Sequence, residues 1–140
     1  EDEEQNLVKQ VTTGQVQDTL SVSTIEPVVN ASDIPKLQQV TANIQVDDAV
    51  FDYAVRIARS SRQWHSFAHG AGPRASIALI RAARAKALLQ GNHFVTPDDV
   101  KVMAKDVMRH RISISYKAEA DEKTTDDIIN ELLSAITYNG

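Results

Sequence analysis

The chain has 140 residues, a formal net charge of -4 and an apolar fraction of 42%, and with aromatics at only 5% its core must be built from aliphatic side chains and alanine. The lack of cysteine excludes disulfides, thiolate metal sites and cysteine nucleophiles, and fits a reducing compartment such as the cytoplasm. No stretch approaches the roughly 20 apolar residues of a membrane helix, the acidic start Glu1-Asp2-Glu3-Glu4 is the reverse of a basic signal-peptide end, and the negative balance argues against general nucleic-acid binding.

Glu3 to Val11 reads as a short helix with acids at its N-terminal end, where the helix dipole favours them. Thr12 to Asn30 is rich in Thr, Ser, Gln and Val, is broken by Gly14 and Pro27, and has no helical period, so an irregular or extended arm is expected there. Residues 1–30 are accordingly read as a helix and arm, and residues 31–140 as the folded domain.

Within that domain Ser32 is the expected N-cap of a short helix to about Thr41, with Asp33 in its first turn and Pro35 early enough to be tolerated. Asn43-Ile44-Gln45-Val46 follows as a brief extended piece. Asp47 or Asp48 then caps a helix ending near Arg62, in which Val50, Tyr53, Ala54, Ile57 and Ala58 recur at helical spacing. Gln63 to Gly72 reads as a loop. Pro73 to Gln90 is the next helix, with proline at its first position and Gly91 as its stop signal. Alanine and aliphatic positions surround most of its axis and leave Arg74, Arg81 and Arg84 in one stripe, so a central place in the domain is expected.

His93-Phe94-Val95 is a second extended piece. Thr96-Pro97-Asp98-Asp99 combines a hydroxyl cap, a proline and an acid at the third position, and starts a helix whose buried face is Val100, Met103, Ala104 and Val107. Ile112-Ser113-Ile114-Ser115-Tyr116 alternates as a half-buried strand does. Thr124 with Asp127 repeats the capping box, and Ile128, Ile129, Leu132, Leu133 and Ile136 form the apolar face of the last helix. The fold expected is mainly α, a bundle of about five or six helices with two or three short extended segments.

The common catalytic signatures are missing. There is no GxxxxGK[ST] phosphate loop, no GxGxxG fingerprint, no GxSxG elbow and no HExxH helix. His65 and His69 are four residues apart, but two glycines and a proline follow at once, so they read as loop histidines lacking the further ligands a metal needs. His93 and His110 read as packing or capping residues. The acid pairs Asp47-Asp48, Asp98-Asp99 and Asp126-Asp127 each begin a helix, where capping explains them.

Charge is distributed unevenly. Pro73 to Gly91 carries Arg74, Arg81, Arg84 and Lys86 with no acid, whereas Lys117 to Glu131 holds six acids against two lysines. Arg74 stands out because it follows Gly72-Pro73 at the start of the apolar helix, where its guanidinium is free to leave the core. It can give bidentate hydrogen bonds to phosphate oxygens, aided by the positive end of the helix dipole, or it can close a surface salt bridge.

Three blocks together resemble the lid of MoxR-type AAA+ ATPases. They are Gly70-Ala71-Gly72-Pro73-Arg74-Ala75-Ser76 with its continuation to Ala85, then Phe94-Val95-Thr96-Pro97-Asp98-Asp99-Val100, then Val107-Met108-Arg109-His110-Arg111. The looser pattern runs from about residue 31 to 136. The resemblance implies a C-terminal lid fragment that is inactive alone, preceded in a longer protein by a core binding ATP and magnesium. It implies that Arg74 is the second sensor, contacting the terminal phosphate, with Gly72 and Pro73 as its supporting turn. Gly72 stands where the family pattern has serine, an exchange expected to loosen that turn. The resemblance further implies a hexamer acting as a chaperone-like remodelling machine, often with von Willebrand factor A-domain partners, while composition and charge leave no role expected for nucleic acid or membrane. A free-standing helical interaction module is the alternative reading, and a histone-like nucleic-acid binder, disfavoured by net charge, is a second.

Overall fold

The computed structural model describes residues 2–12 and 25–139, and the chain divides into two compact units, Glu1–Ile34 and Pro35–Gly140. In the first unit α1 (Asp2–Thr12) takes the place of the expected Glu3–Val11 helix, with Asp2, Glu3 and Glu4 in its first turn. Most of the expected irregular arm lies outside the described residues, and residues 25–30 form no regular element.

A single 3-10 turn, Ala31–Asp33, leads into α2 (Ile34–Ala42). Ser32 is therefore not the N-cap that was expected. Asn30 holds the extended cap conformation instead, and its carbonyl accepts from the Asp33 N–H at 2.9 Å. No residue of α2 is fully buried.

The second unit is a helical bundle. It is built on α3 (Asp48–Ser61), α4 (Pro73–Leu89), α5 (Pro97–Met108) and α7 (Thr125–Ala135), with β1 (Phe67–His69), β2 (Ser113–Ile114) and the short α6 (Tyr116–Ala120) between them. Seven α-helices occur among the described residues, six of them (α2 to α7) within residues 31–140, so the mainly α expectation of five or six helices holds. α4 packs against α5 and α3, and α7 closes the bundle against the same two helices.

The start signals of α3, α5 and α7 are made by side chains. Asp47 Oδ1 accepts from the Ala49 N–H at 2.9 Å, and Thr96 with Asp99 and Thr124 with Asp127 both form reciprocal capping boxes. α4 ends as Gly91 predicts. Gly91 takes φ 77°, and the Gly91 and Asn92 N–H groups donate to the Leu88 and Ala87 carbonyls at 2.9 Å, which is a Schellman closure.

The core is aliphatic, as the composition requires. Val50, Tyr53, Ala54, Ile57 and Ala58 of α3 meet Leu79, Ala83 and Ala87 of α4, and Ile128, Ile129, Leu132 and Leu133 of α7 complete it. Alanine at 83 and 87 lets the α4 backbone come close to its neighbours. On α5 the buried face is Val100, Ala104, Val107 and Met108. Met103 is only half-buried, because the contact face is centred between residues 104 and 107 and Met103 falls at its edge.

The extended segments differ most from expectation. Asn43–Val46 and His93–Val95 meet in one parallel bridge, with the Gln45 N–H donating to His93 O and the Val95 N–H to Gln45 O. The Gln63–Gly72 loop contains β1, which pairs antiparallel with β2 and places Phe67 opposite Ile114. The expected strand at 112–116 is only two residues long. Ser115 ends it by accepting from the Ala118 N–H through its hydroxyl, so that Tyr116 opens α6.

Candidate functional site

Arg74 occupies the second position of α4, after Gly72 as N-cap and Pro73 as first residue. The turn that carries it is fixed to the end of α3. Buried Ser61 accepts from the Ala71 N–H at 2.9 Å while donating to Ala58 O at 2.8 Å, and Arg62 Nη1 donates to Ala71 O at 3.1 Å. Ala71 itself is fully buried.

The two glycines of the turn have different reasons. A Cβ at Gly70 would lie 2.4 Å from backbone atoms of Ser61 and Arg62, so only glycine lets the strand pass this close to α3. Gly72 has φ -74° and ψ 177°, open to any residue, and a Cβ there would meet nothing. What Gly72 lacks is a side-chain cap. The path of the turn is set by Gly70 and Ser61, and the sequence reading missed both Ser61 and Arg62, which showed no local pattern.

The arginine stripe of α4 divides. Arg74 and Arg81 are seven residues apart, hence within about 20° of each other around the axis, whereas Arg84 is turned about 80° from Arg74. Arg74 and Arg81 line an open cleft of about 650 Å³ with Ile77, Ala78, Ala82, Val107 and Arg111. Arg84 faces a second groove beside Phe51 and Val55, which Ile77 and Arg81 also border, and its Nε is buried without a hydrogen-bond partner.

Arg74, Arg81 and Arg111 are exposed, and among the described residues none of their side chains makes a hydrogen bond or ion pair. The salt bridge that was the alternative for Arg74 has no partner there. By contrast, Arg109 gives a bidentate pair of 2.8 Å bonds to Asp126, which raises the Arg109 pKa and lowers that of Asp126. Lys86 of α4 reaches Asp99 of α5 at 3.2 Å. Burial alone would push the Asp99 carboxyl up, but hydrogen bonds from Thr96 and the charge of Lys86 outweigh it, and its pKa lies below the ordinary range.

The four histidines are all exposed, and no cluster of His, Cys, Asp and Glu suited to a metal occurs among the described residues. His69 is in β1, so His65 and His69 do not share a helix face. No helix among the described residues is long and apolar enough to cross a membrane.

Helical bundle, capped α4 and the Gly-Ala-Gly-Pro-Arg turn define the class. The chain belongs to the AAA lid domain family, whose model matches residues 59–132, just over half of its length. Within that family it is of the MoxR type. It is 37% identical over 120 residues to the chaperone MoxR1 of Mycobacterium tuberculosis, a match spanning 78% of this chain and 31% of that protein. It is 36% identical over 115 residues to YeaC, an uncharacterized protein of Bacillus subtilis, spanning 82% of this chain and 36% of that one. The chain thus spans about a third of the length of these curated relatives. A crystal structure of a candidate ATPase from Cytophaga hutchinsonii superposes with TM-score 0.76 over 100% of this chain and 44% of its own, at 22% identity, a likeness that concerns the fold.

Proposed function

We propose that the chain is the nucleotide-responsive lid of a longer MoxR-type AAA+ ATPase, and that Arg74 is its second sensor, reaching the terminal phosphate of ATP bound with magnesium on an upstream core. The observation that carries this reading is an exposed arginine without a partner, on a turn anchored to α3 through Ser61. A fixed backbone aims the guanidinium, and an unpaired guanidinium is free for an anion.

The chemistry then couples nucleotide to orientation. ATP offers a terminal phosphate that ADP lacks, so the contact exists in one state only. Charge-assisted hydrogen bonds of about 1.5–3 kcal/mol shift a two-state hinge roughly tenfold or more. Such a lid would transmit hydrolysis to neighbouring subunits of a hexamer in the cytoplasm and through them to partner proteins, in chaperone-like remodelling that includes von Willebrand factor A-domain proteins. Its sequence carries no GxxxxGK[ST] phosphate loop, so on this reading the hydrolytic groups belong to the core.

The test is Arg74→Ala in the protein that contains the core. The lid should stay folded, since Arg74 is exposed, while ATP turnover falls about ten- to a thousandfold, the range for loss of a phosphate-stabilising charge. Arg74→Lys should recover only part, because a point charge cannot reproduce the bidentate fork. Arg84→Ala, facing the other groove, should turn over as the parent does. Equal losses in Arg74→Ala and Arg84→Ala would assign α4 to docking and favour an interaction module.

A further inference from the structure

We infer that Arg111 and Arg81 extend the Arg74 site into a cleft that binds a polyphosphate chain, with Arg111 as a second phosphate-contacting residue supplied from the end of α5. This rests on the lid reading above. Arg111 is far from Arg74 in sequence, and the two-stranded sheet brings them to one cleft. β1 ends at His69, four residues before α4 begins at Pro73, and β2 begins two residues after Arg111. Pairing of Phe67 with Ile114 and of His69 with Ser113 therefore holds the two arginine-bearing turns side by side.

The charge pattern points the same way. The chain is net acidic and pairs several of its cations with carboxylates, Arg56 with Asp52 at 2.7 Å, Arg109 with Asp126 at 2.8 Å and Lys123 with Glu131 at 2.6 Å. The cleft gathers three guanidiniums on one concavity with no acid in its lining. Like charges around one concavity repel each other and raise the local anion concentration, an arrangement that an anionic occupant relieves. Within the Arg-His-Arg segment the two arginines have separate tasks, because Arg109 is committed to Asp126 and only Arg111 lines the cleft.

Spacing selects a chain of phosphates over a single ion. Seven residues of α4 separate Arg74 from Arg81 by about 10 Å along the axis. Two flexible stems rooted that far apart can meet successive phosphate groups without converging, whereas a single orthophosphate requires all three forks to bend to one point and hold their charges together.

The test titrates the 140-residue chain with inorganic tripolyphosphate and with orthophosphate at low salt, following backbone amide and arginine Nε–H resonances by NMR. Saturable shifts are expected at Arg74, Arg81 and Arg111, with tripolyphosphate binding at least tenfold tighter than orthophosphate. Arg111→Ala and Arg111→Gln should each weaken tripolyphosphate about tenfold while the other resonances stay dispersed. Arg59→Ala, an exposed arginine outside the cleft, should leave it unchanged. If Arg74 shifts but the Arg111 variants bind as the parent does, the extended cleft is wrong and the Arg74 reading stands. Absence of saturable shifts at all three arginines also overturns the cleft, and the Arg74 reading is then judged by turnover alone. A short polyglutamate peptide that binds tighter than tripolyphosphate would overturn it too, and assign the cleft to an acidic protein surface.

Discussion

At the scale of single residues, the turn before α4 shows which side chains aim Arg74. The sequence made Gly72 and Pro73 legible as the entry to a helix, because proline at the first position and a small cap before it are local signals. It did not reveal Ser61, nor why position 70 must be glycine, since both depend on two segments meeting in space. Gly70→Ala should destabilise the domain by about 1–3 kcal/mol, since the added methyl has backbone and no yielding side chain in its way. Gly72→Ser should do the opposite, adding a cap and restricting the unfolded chain for a gain of a few tenths to about 1 kcal/mol. Urea unfolding of both variants checks the pair. Equal stability of Gly70→Ala and the parent would show that the turn is not held against α3 as described.

At the scale of elements, the starts of α3, α4, α5 and α7 were readable, whereas β2 was read too long and β1 was read as loop. Thr96 with Asp99 and Thr124 with Asp127 carry their own partners within four residues, so sequence and structure agree. β1 depends on pairing with β2 across a long sequence separation, which no local pattern encodes. The alternation from Ile112 to Tyr116 misled because Ser115 offers its hydroxyl to the backbone and starts α6 within the run. The Lys86–Asp99 link between α4 and α5 was equally hidden, since a basic residue late in one helix and an acid early in the next each had a helix-dipole explanation.

That link predicts a pH dependence. Asp99 has a folded pKa below its ordinary 3.8, so its stabilisation is present above that value and is lost as pH falls through the folded pKa. Asp99→Asn should cost about 1 kcal/mol at neutral pH through the weakened cap and lost ion pair, and should flatten the acid limb of stability below pH 3.8. Asp126 and Asp127, also lowered but exposed, should add little after solvent screening. Thermal melts from pH 7 to pH 2 decide the matter, and an unchanged acid limb in Asp99→Asn would remove Asp99 from the account.

At the scale of the whole molecule, helical class, core and the Arg74 turn were legible because an α bundle writes its packing at short range, in caps and 3.6-residue periodicity. The basic cleft was only half legible. Periodicity placed Arg74 and Arg81 on one side of α4, but it could not bring in Arg111 or set Arg84 apart. The central claim is that Arg74 reads the terminal phosphate. It is tested most directly by the affinities of ATP and ADP for the core-containing protein and its Arg74→Ala variant, measured by calorimetry with hydrolysis blocked. A charge-assisted contact made only to the terminal phosphate predicts that Arg74→Ala weakens ATP at least tenfold and ADP less than twofold. Equal weakening of both nucleotides, or of neither, would contradict it.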